Sequence, residues 1–386
     1  MSRRSTLVKP PPPHPFHSPI ESVLSLLPLA DIGPDVFTNA HPIWQPAVSR
    51  GVFGGAVIAQ CLVAAQATIP DNFTVHSMHC YFVLGGDHDV PILYHVERVR
   101  EGKSFITRTV QARQRGRCIF TTTMSFVREG SGGKERVEHV VQMPTNVLTP
   151  PDRLEPIPGL PSPVGKTTDG IAATETPFES VRCPIEQDGP PEKKKVRHWI
   201  RARGRLSDVP VPSPHARQDA AQAGEKKDNH QSHLSALAYM TDFYFIGTVS
   251  RVHNLHRFSL WRRVEMTVEL FKEIEKEKQM KEYLERVAQD DVEESTEPTK
   301  APPKVVDGKA KRRIGMMVSL DHTIYFHNPR AFRADEWLLT EIESPWAEDG
   351  RALVMQRIWT KDGTLVATCV QEGVVRLAEP GKQARM

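Results

Sequence analysis

The spacing of apolar and polar positions changes period several times along the chain. Residues 21–31 (ESVLSLLPLAD) follow the helical spacing of a short amphipathic helix, and 36–50 read as a loop and an edge strand. After Gly51-Val-Phe-Gly54-Gly55 comes AVIAQCLVAAQAT, which ends before Pro70. Its alanines and unbranched residues favour helix, and Pro70 fits a stop. The segment is apolar nearly all round, so it predicts a buried helix rather than a surface one. Four extended stretches follow, at about 74–84, 91–100, 104–115 and 117–127. They are rich in Val, Ile, Phe, Tyr and Thr, and break at Gly85-Gly86, Gly102 and Gly116. One helix followed by an antiparallel meander predicts a sheet wrapped around a central helix.

The same order returns later. A helical segment begins at His233 (HLSALAYMTDF), and extended stretches run at about 315–327, 337–347, 351–361 and 364–377, with breaks at Gly350 and Gly363. The parallel points to internal duplication. Between the units, residues 131–231 are rich in Pro, Gly, Lys and Asp and read as a linker with short ordered pieces, such as the apolar stretch near Trp199. The Lys193-Lys194-Lys195 run inside it reads as a solvated loop. Residues 264–314 interrupt the second unit with a charged helix carrying Glu/Lys pairs at i,i+4, then a Pro/Lys-rich loop. The expected organisation is a disordered basic arm at 1–20, a first unit at 21–130, the linker at 131–231, a second unit at 232–380 and a tail at 381–386.

Composition narrows the class. A length of 386 residues allows two domains, and 39% hydrophobic content allows a core in each. A net charge of +3 argues against nucleic acid as a partner. Five cysteines without a CxxC pair read as buried reduced thiols. No apolar run approaches the roughly 20 residues that span a bilayer, and the N-terminus lacks a signal core. The chain ends Ala384-Arg385-Met386, the small–basic–apolar pattern of a peroxisomal address, which an ordinary frayed tail also matches by chance.

Few motifs carry chemistry. Gly51-Val-Phe-Gly54-Gly55 lacks both the dinucleotide spacing and the P-loop lysine, so no nucleotide cofactor is expected. Its glycines allow a ligand or another backbone to approach a helix N-terminus, although plain packing explains them as well. GxSxG and HExxH are absent, and the His253/His256 and His322/His327 pairs have no matching carboxylates or thiols, so no metal is expected. Three polar residues stand in apolar surroundings of the second unit: Asp242, Ser319 and Gln371. A carboxylate, a hydroxyl and an amide can together hold one water, the carboxylate taking its proton. From composition alone they read equally as scattered polar groups with ordinary partners.

Longer stretches carry a resemblance. VFGGAVIAQCLVAA with VHSMHCYFVLGGDHDVPILYHVERVREGKSFITRTVQARQRGRCIF, then LAYMTDF, SLDHTIYFHNP and WLLTEIESPWAEDGRALVMQRIWTKDGTLVATCVQEGVVR, resemble the acyl-CoA thioesterase II family in the right order, over about 40–127 and 232–377. The resemblance implies an α+β double hotdog, two tandem units each with an antiparallel sheet around a central helix. It implies hydrolysis of fatty acyl-CoA to fatty acid and CoA without a cofactor. The family's Asp, Thr or Ser, and Gln fall on Asp242 (YMTDF), Ser319 (VSLDH) and Gln371 (VQEGV), and Gly54 and Gly55 become an oxyanion or groove contact. It favours self-association, and it makes the Ala384-Arg385-Met386 address, a peroxisomal import receptor and a peroxisomal rather than cytoplasmic location more credible. A hotdog enoyl-CoA hydratase and a non-catalytic acyl-CoA-binding scaffold are the alternatives. The helix around Asp242 has no following His at the spacing a hydratase would use.

Overall fold

The computed structural model describes residues 17–43, 51–147, 177–183, 189–207, 228–253, 255 and 314–378. The expectations for residues 1–16, for the charged helix before residue 314 and for the tail at 381–386 lie outside the described residues.

The first unit opens with α1 (Pro19–Leu24), capped by Ser18, whose backbone N–H donates to Glu21 Oε2 at 2.7 Å. The helix expected over 21–31 therefore starts earlier and stops sooner. Ser25 turns its hydroxyl back to the Glu21 carbonyl, and Pro28, which cannot continue a helix, falls in strand β1 (Leu26–Pro28). Strand β2 (Val36–Asn39) is not the edge expected for it, because β1 pairs along its outer side. The central helix α2 (Gly54–Gln66) is buried along nearly all its length, as its sequence predicts. The meander follows as β3 (Phe73–Phe82), β4 (Leu93–Glu101), β5 (Phe105–Gln114) and β6 (Arg117–Arg128), close to the expected stretches.

The second unit repeats this plan. Its central helix α3 (His230–Thr241) is followed by a short α4 (Thr248–Val252) and by β9 (Ile314–Ser319), β10 (Asp321–Phe326), β11 (Leu338–Glu348), β12 (Arg351–Thr360) and β13 (Leu365–Leu377). Two further strands, β7 (Phe178–Arg182) and β8 (Val196–Ala202), lie inside the stretch expected as linker. β8 is the short ordered piece expected near Trp199; it belongs to the sheet of the second unit, since it pairs with β11 and buries Trp199 and Ile200. The continuous extended stretch expected at 315–327 is split at Leu320 into β9 and β10.

All strands among the described residues join one sheet in the order β1-β2-β4-β5-β6-β3-β10-β13-β12-β11-β8-β7, with β9 also on β13. Read from its centre, where β3 pairs antiparallel with β10 around His79 and Thr323, the order is the same in both directions. Even the irregularities repeat. A bulge at His76 separates Val75 from Ser77 against β6, and Leu320 separates Ser319 from Asp321 against β13. The sheet wraps around α2 and α3, which lie antiparallel. Gly55 at the start of α2 meets Tyr239 near the end of α3, and Gln66 at the end of α2 donates a hydrogen bond to the Gln231 carbonyl near the start of α3.

Candidate active site

Asp242 is the C-cap of α3 and lies where that helix end meets the start of α2. The meeting is close because the facing residues are glycines. A Cβ on Gly54 would stand 2.5 Å from Asp242 Oδ2, and one on Gly55 would stand 2.2 Å from the Tyr239 carbonyl oxygen. The carboxylate thus faces the positive end of a 13-residue helix and accepts the Gly55 N–H. Of the approaches expected at Gly54 and Gly55, the structure shows that of another helix: the Gly55 N–H goes to the Asp242 carboxylate and the Tyr239 backbone packs against it. Gly54 supplies clearance.

Gln371 on β13 is fully buried and donates from Nε2 to Asp242 Oδ1 at 2.9 Å. The same Nε2 lies 3.1 Å from His322 Nδ1, and His322 Nε2 lies 2.9 Å from the Thr241 hydroxyl. Burial raises the Asp242 pKa to about 7, a rise moderated by the hydrogen bonds from Gln371 and Gly55. Burial also lowers the His322 pKa to about 3, so its ring is neutral at physiological pH. The pair therefore combines a carboxyl group that changes charge near neutrality with an imidazole that does not.

Ser319 stands opposite Gly373 in the β9–β13 register, so it shares a sheet face with Gly373 and with Gln371 two residues away. Its hydroxyl makes no hydrogen bond to Asp242 or Gln371 among the described residues. The fold thus brings two of the three expected side chains into contact and puts the third one diagonal step away. Sequence reasoning missed His322 and Thr241. The signal for His322 was its alternation with Ile324 and Phe326 on one face of an apolar strand, which marks a buried imidazole in need of partners.

Among the described residues, Asp87, His88 and Asp89 are the group close enough to share a metal ion, in the loop after β3. Asp87 there already accepts from Arg115 at 2.9 Å and from the Asp89 N–H at 3.0 Å. No described helix is long and apolar enough to cross a membrane.

Two family models match the chain: an acyl-CoA thioesterase N-terminal domain over residues 41–127 and an acyl-CoA thioesterase C-terminal domain over 212–375. Acyl-coenzyme A thioesterase 8 of Rattus norvegicus is 32% identical over 369 residues, covering 92% of this chain and 88% of its own. The chain belongs to the acyl-CoA thioesterase family. Its members include the peroxisomal acyl-coenzyme A thioester hydrolase 1 of Saccharomyces cerevisiae, 25% identical over 93% of this chain and 94% of its own. Among solved structures, an acyl-CoA thioesterase II from Mycobacterium marinum aligns with a TM-score of 0.57 and 26% identity, over 94% of this chain and 99% of that one. The two family models fall on the two structural units, so the duplication and the tandem hotdog architecture agree with the family. The expected hydratase and binding-only alternatives give way to a thioester hydrolase.

Proposed function

We propose that this thioesterase hydrolyses fatty acyl-CoA through a water activated by Asp242, with Gln371 and Ser319 fixing its direction. The observation that carries the reading is the hydrogen bond from Gln371 to a carboxyl group whose pKa burial has raised to about 7. A general base works best when its pKa lies near the working pH, and an ordinary aspartate is too weak a base for the task. The attacking water gives one proton to Asp242 as its oxygen bonds to the thioester carbonyl carbon. The C–S bond then breaks, and Asp242 returns the proton to the CoA sulfur. No covalent enzyme intermediate is needed, in keeping with the absence of a nucleophile elbow.

Asp242→Asn keeps the shape and removes the base. Thiol release from a long-chain acyl-CoA should fall by roughly 1,000-fold or more while the melting profile survives. Retained activity would overturn the assignment. In the wild type, kcat/KM should fall about tenfold per pH unit below the Asp242 pKa and level off above it, because only the charged carboxylate accepts the proton.

The peroxisomal naming of the yeast relative and the Ala384-Arg385-Met386 terminus support a peroxisomal location and recognition by an import receptor. A fluorescent fusion with and without the last three residues tests both, and a cytoplasmic signal from the intact chain would reject them. Self-association is proposed on the exposed sheet faces and is read by light scattering.

A further inference from the structure

His322 lies on β10 beside the centre of the sheet, with no exposed surface. Its hydrogen-bond network admits one consistent assignment. The Thr241 hydroxyl is 2.8 Å from the Ala238 carbonyl, which can only accept, so Thr241 gives its single hydrogen there. Thr241 must then accept from His322 Nε2, which carries the ring proton. Nδ1 is left as a bare acceptor, facing Gln371 Nε2 at 3.1 Å.

The consequence falls on Gln371. Its amide nitrogen has two hydrogens, one for Asp242 and one for His322. Its carbonyl oxygen is buried and has no partner among the described residues. Asp242 alone would fix this orientation only while charged. Once it has taken a proton from water, its own O–H can donate to the Gln371 carbonyl, and the amide is free to turn over. An acceptor that stays neutral throughout removes that freedom.

We propose that His322 is a positioning residue for hydrolysis: its Nδ1 locks the Gln371 amide so that the carbonyl oxygen faces the attacking water in both charge states of Asp242. The inference rests on Asp242 being the general base. The titratable groups around His322 do not compete for the role. Cys80, opposite it on β3, is pushed by burial up to about 12 and stays a thiol. Near Asp242 itself, the Tyr239 hydroxyl on α3 is raised well above its ordinary range by burial and stays neutral. Phe245 from the α3–α4 connection packs its ring at 78° to the imidazole and offers no titratable group.

The test compares three variants with Asp242→Asn. His322→Leu keeps bulk and removes the acceptor. It should lower kcat roughly 10- to 100-fold with KM for acyl-CoA within about twofold. It should also move the acid limb of the kcat/KM profile upward, because a turned amide sets its oxygen against the carboxylate. His322→Asn places a carbonyl oxygen where Nδ1 stood and should restore most of kcat and the original limb. Should His322→Leu fail to fold, Thr241→Val serves: it removes the acceptor that fixes the tautomer, and it should lower kcat and shift the same limb. Wild-type kcat and pH profile in a folded His322→Leu or Thr241→Val, with Asp242→Asn inactive, would overturn the role of His322 alone. An active Asp242→Asn would overturn the reading beneath it.

Discussion

The two halves of the sheet place their residues in matching rows and fill them with opposite chemistry. Against the cross-strand pair His79–Thr323 as centre, Met78 and Met124 face each other in the first half where His322 and Gln371 meet in the second. Beyond the shared bulge, Val75 faces Phe126 in one half, and Ser319 faces Gly373 in the other. The C-cap of the central helix is Ala67 in the first and Asp242 in the second. The helix ends differ in the same sense. The junction of α3 with the start of α2 holds the carboxylate and its glycines, whereas Asp228 at the start of α3 is held in an ion cluster in which Arg330 binds Glu129 at 2.7 and 3.0 Å. Duplication supplied two equivalent rows. One is closed with methionine, valine and phenylalanine, and the other buries polar groups that are costly unless paired. The polar row is the site proposed above.

Among exchanges between the halves, the largest expected effect comes from writing the first half's residue into the second. Gln371→Met copies Met124, with similar volume and no amide. It leaves the Asp242 oxygen and His322 Nδ1 without their shared donor, and kcat should fall roughly 100- to 1,000-fold. The folded state should survive, since a methionine of this size already packs in the equivalent row. Single-turnover kinetics and a melting curve measure both. Unchanged turnover would mean that the polar row is not where the halves diverge in function.

A smaller effect is expected in the first half, and on stability only. Arg108 on β5 stands opposite Met124, where the second half has Val354 opposite Gln371. It is fully buried, donates to the Thr68 carbonyl at 2.9 Å and to the Thr68 hydroxyl at 2.8 Å, and pairs with Glu101 at 2.5 Å. This cation closes the C-terminal end of α2, where it also complements the helix dipole. Arg108→Met leaves a buried carbonyl unpaired and should cost about 2–3 kcal/mol, read by denaturant unfolding. With kcat unchanged, it would establish that the first half supports rather than reacts. A matching loss of kcat in the folded variant would break the division of labour.

How far the sequence disclosed this division depends on the kind of signal. The meanders were legible because β-branched alternation and glycine breaks are local, and the turns at Gly116 and Gly363 do require positive φ. Asp242 was legible as a charge in an apolar helix. The place of β7 and β8 in the sheet was not, because β8 finds its ladder partner β11 more than a hundred residues away and β7 joins only through β8. The role of Gly55 was left open for a related reason. A glycine pair advertises close approach, but whether the approaching group is a ligand or the carboxylate of another helix is decided by tertiary packing. His322 was passed over because it was weighed as a metal ligand, whereas its partner is an amide brought alongside by strand pairing.

Ser319 gives the finest division between the halves. It replaces Val75 in the row, but unlike Gln371 it has no bond to Asp242, and it lies on the partly exposed strand β9. A hydroxyl at that diagonal position can orient a water or the thioester carbonyl through one hydrogen bond, an interaction of about 1–1.5 kcal/mol. Ser319→Ala should therefore lower kcat about tenfold, well short of Gln371→Met, and leave the pH profile in place because the Asp242 carboxyl keeps both its donors. A loss as deep as that of Gln371→Met, or an acyl group trapped on Ser319, would make the serine a nucleophile. The decisive difference between the halves would then be a hydroxyl in place of Val75 rather than an acid in place of Ala67.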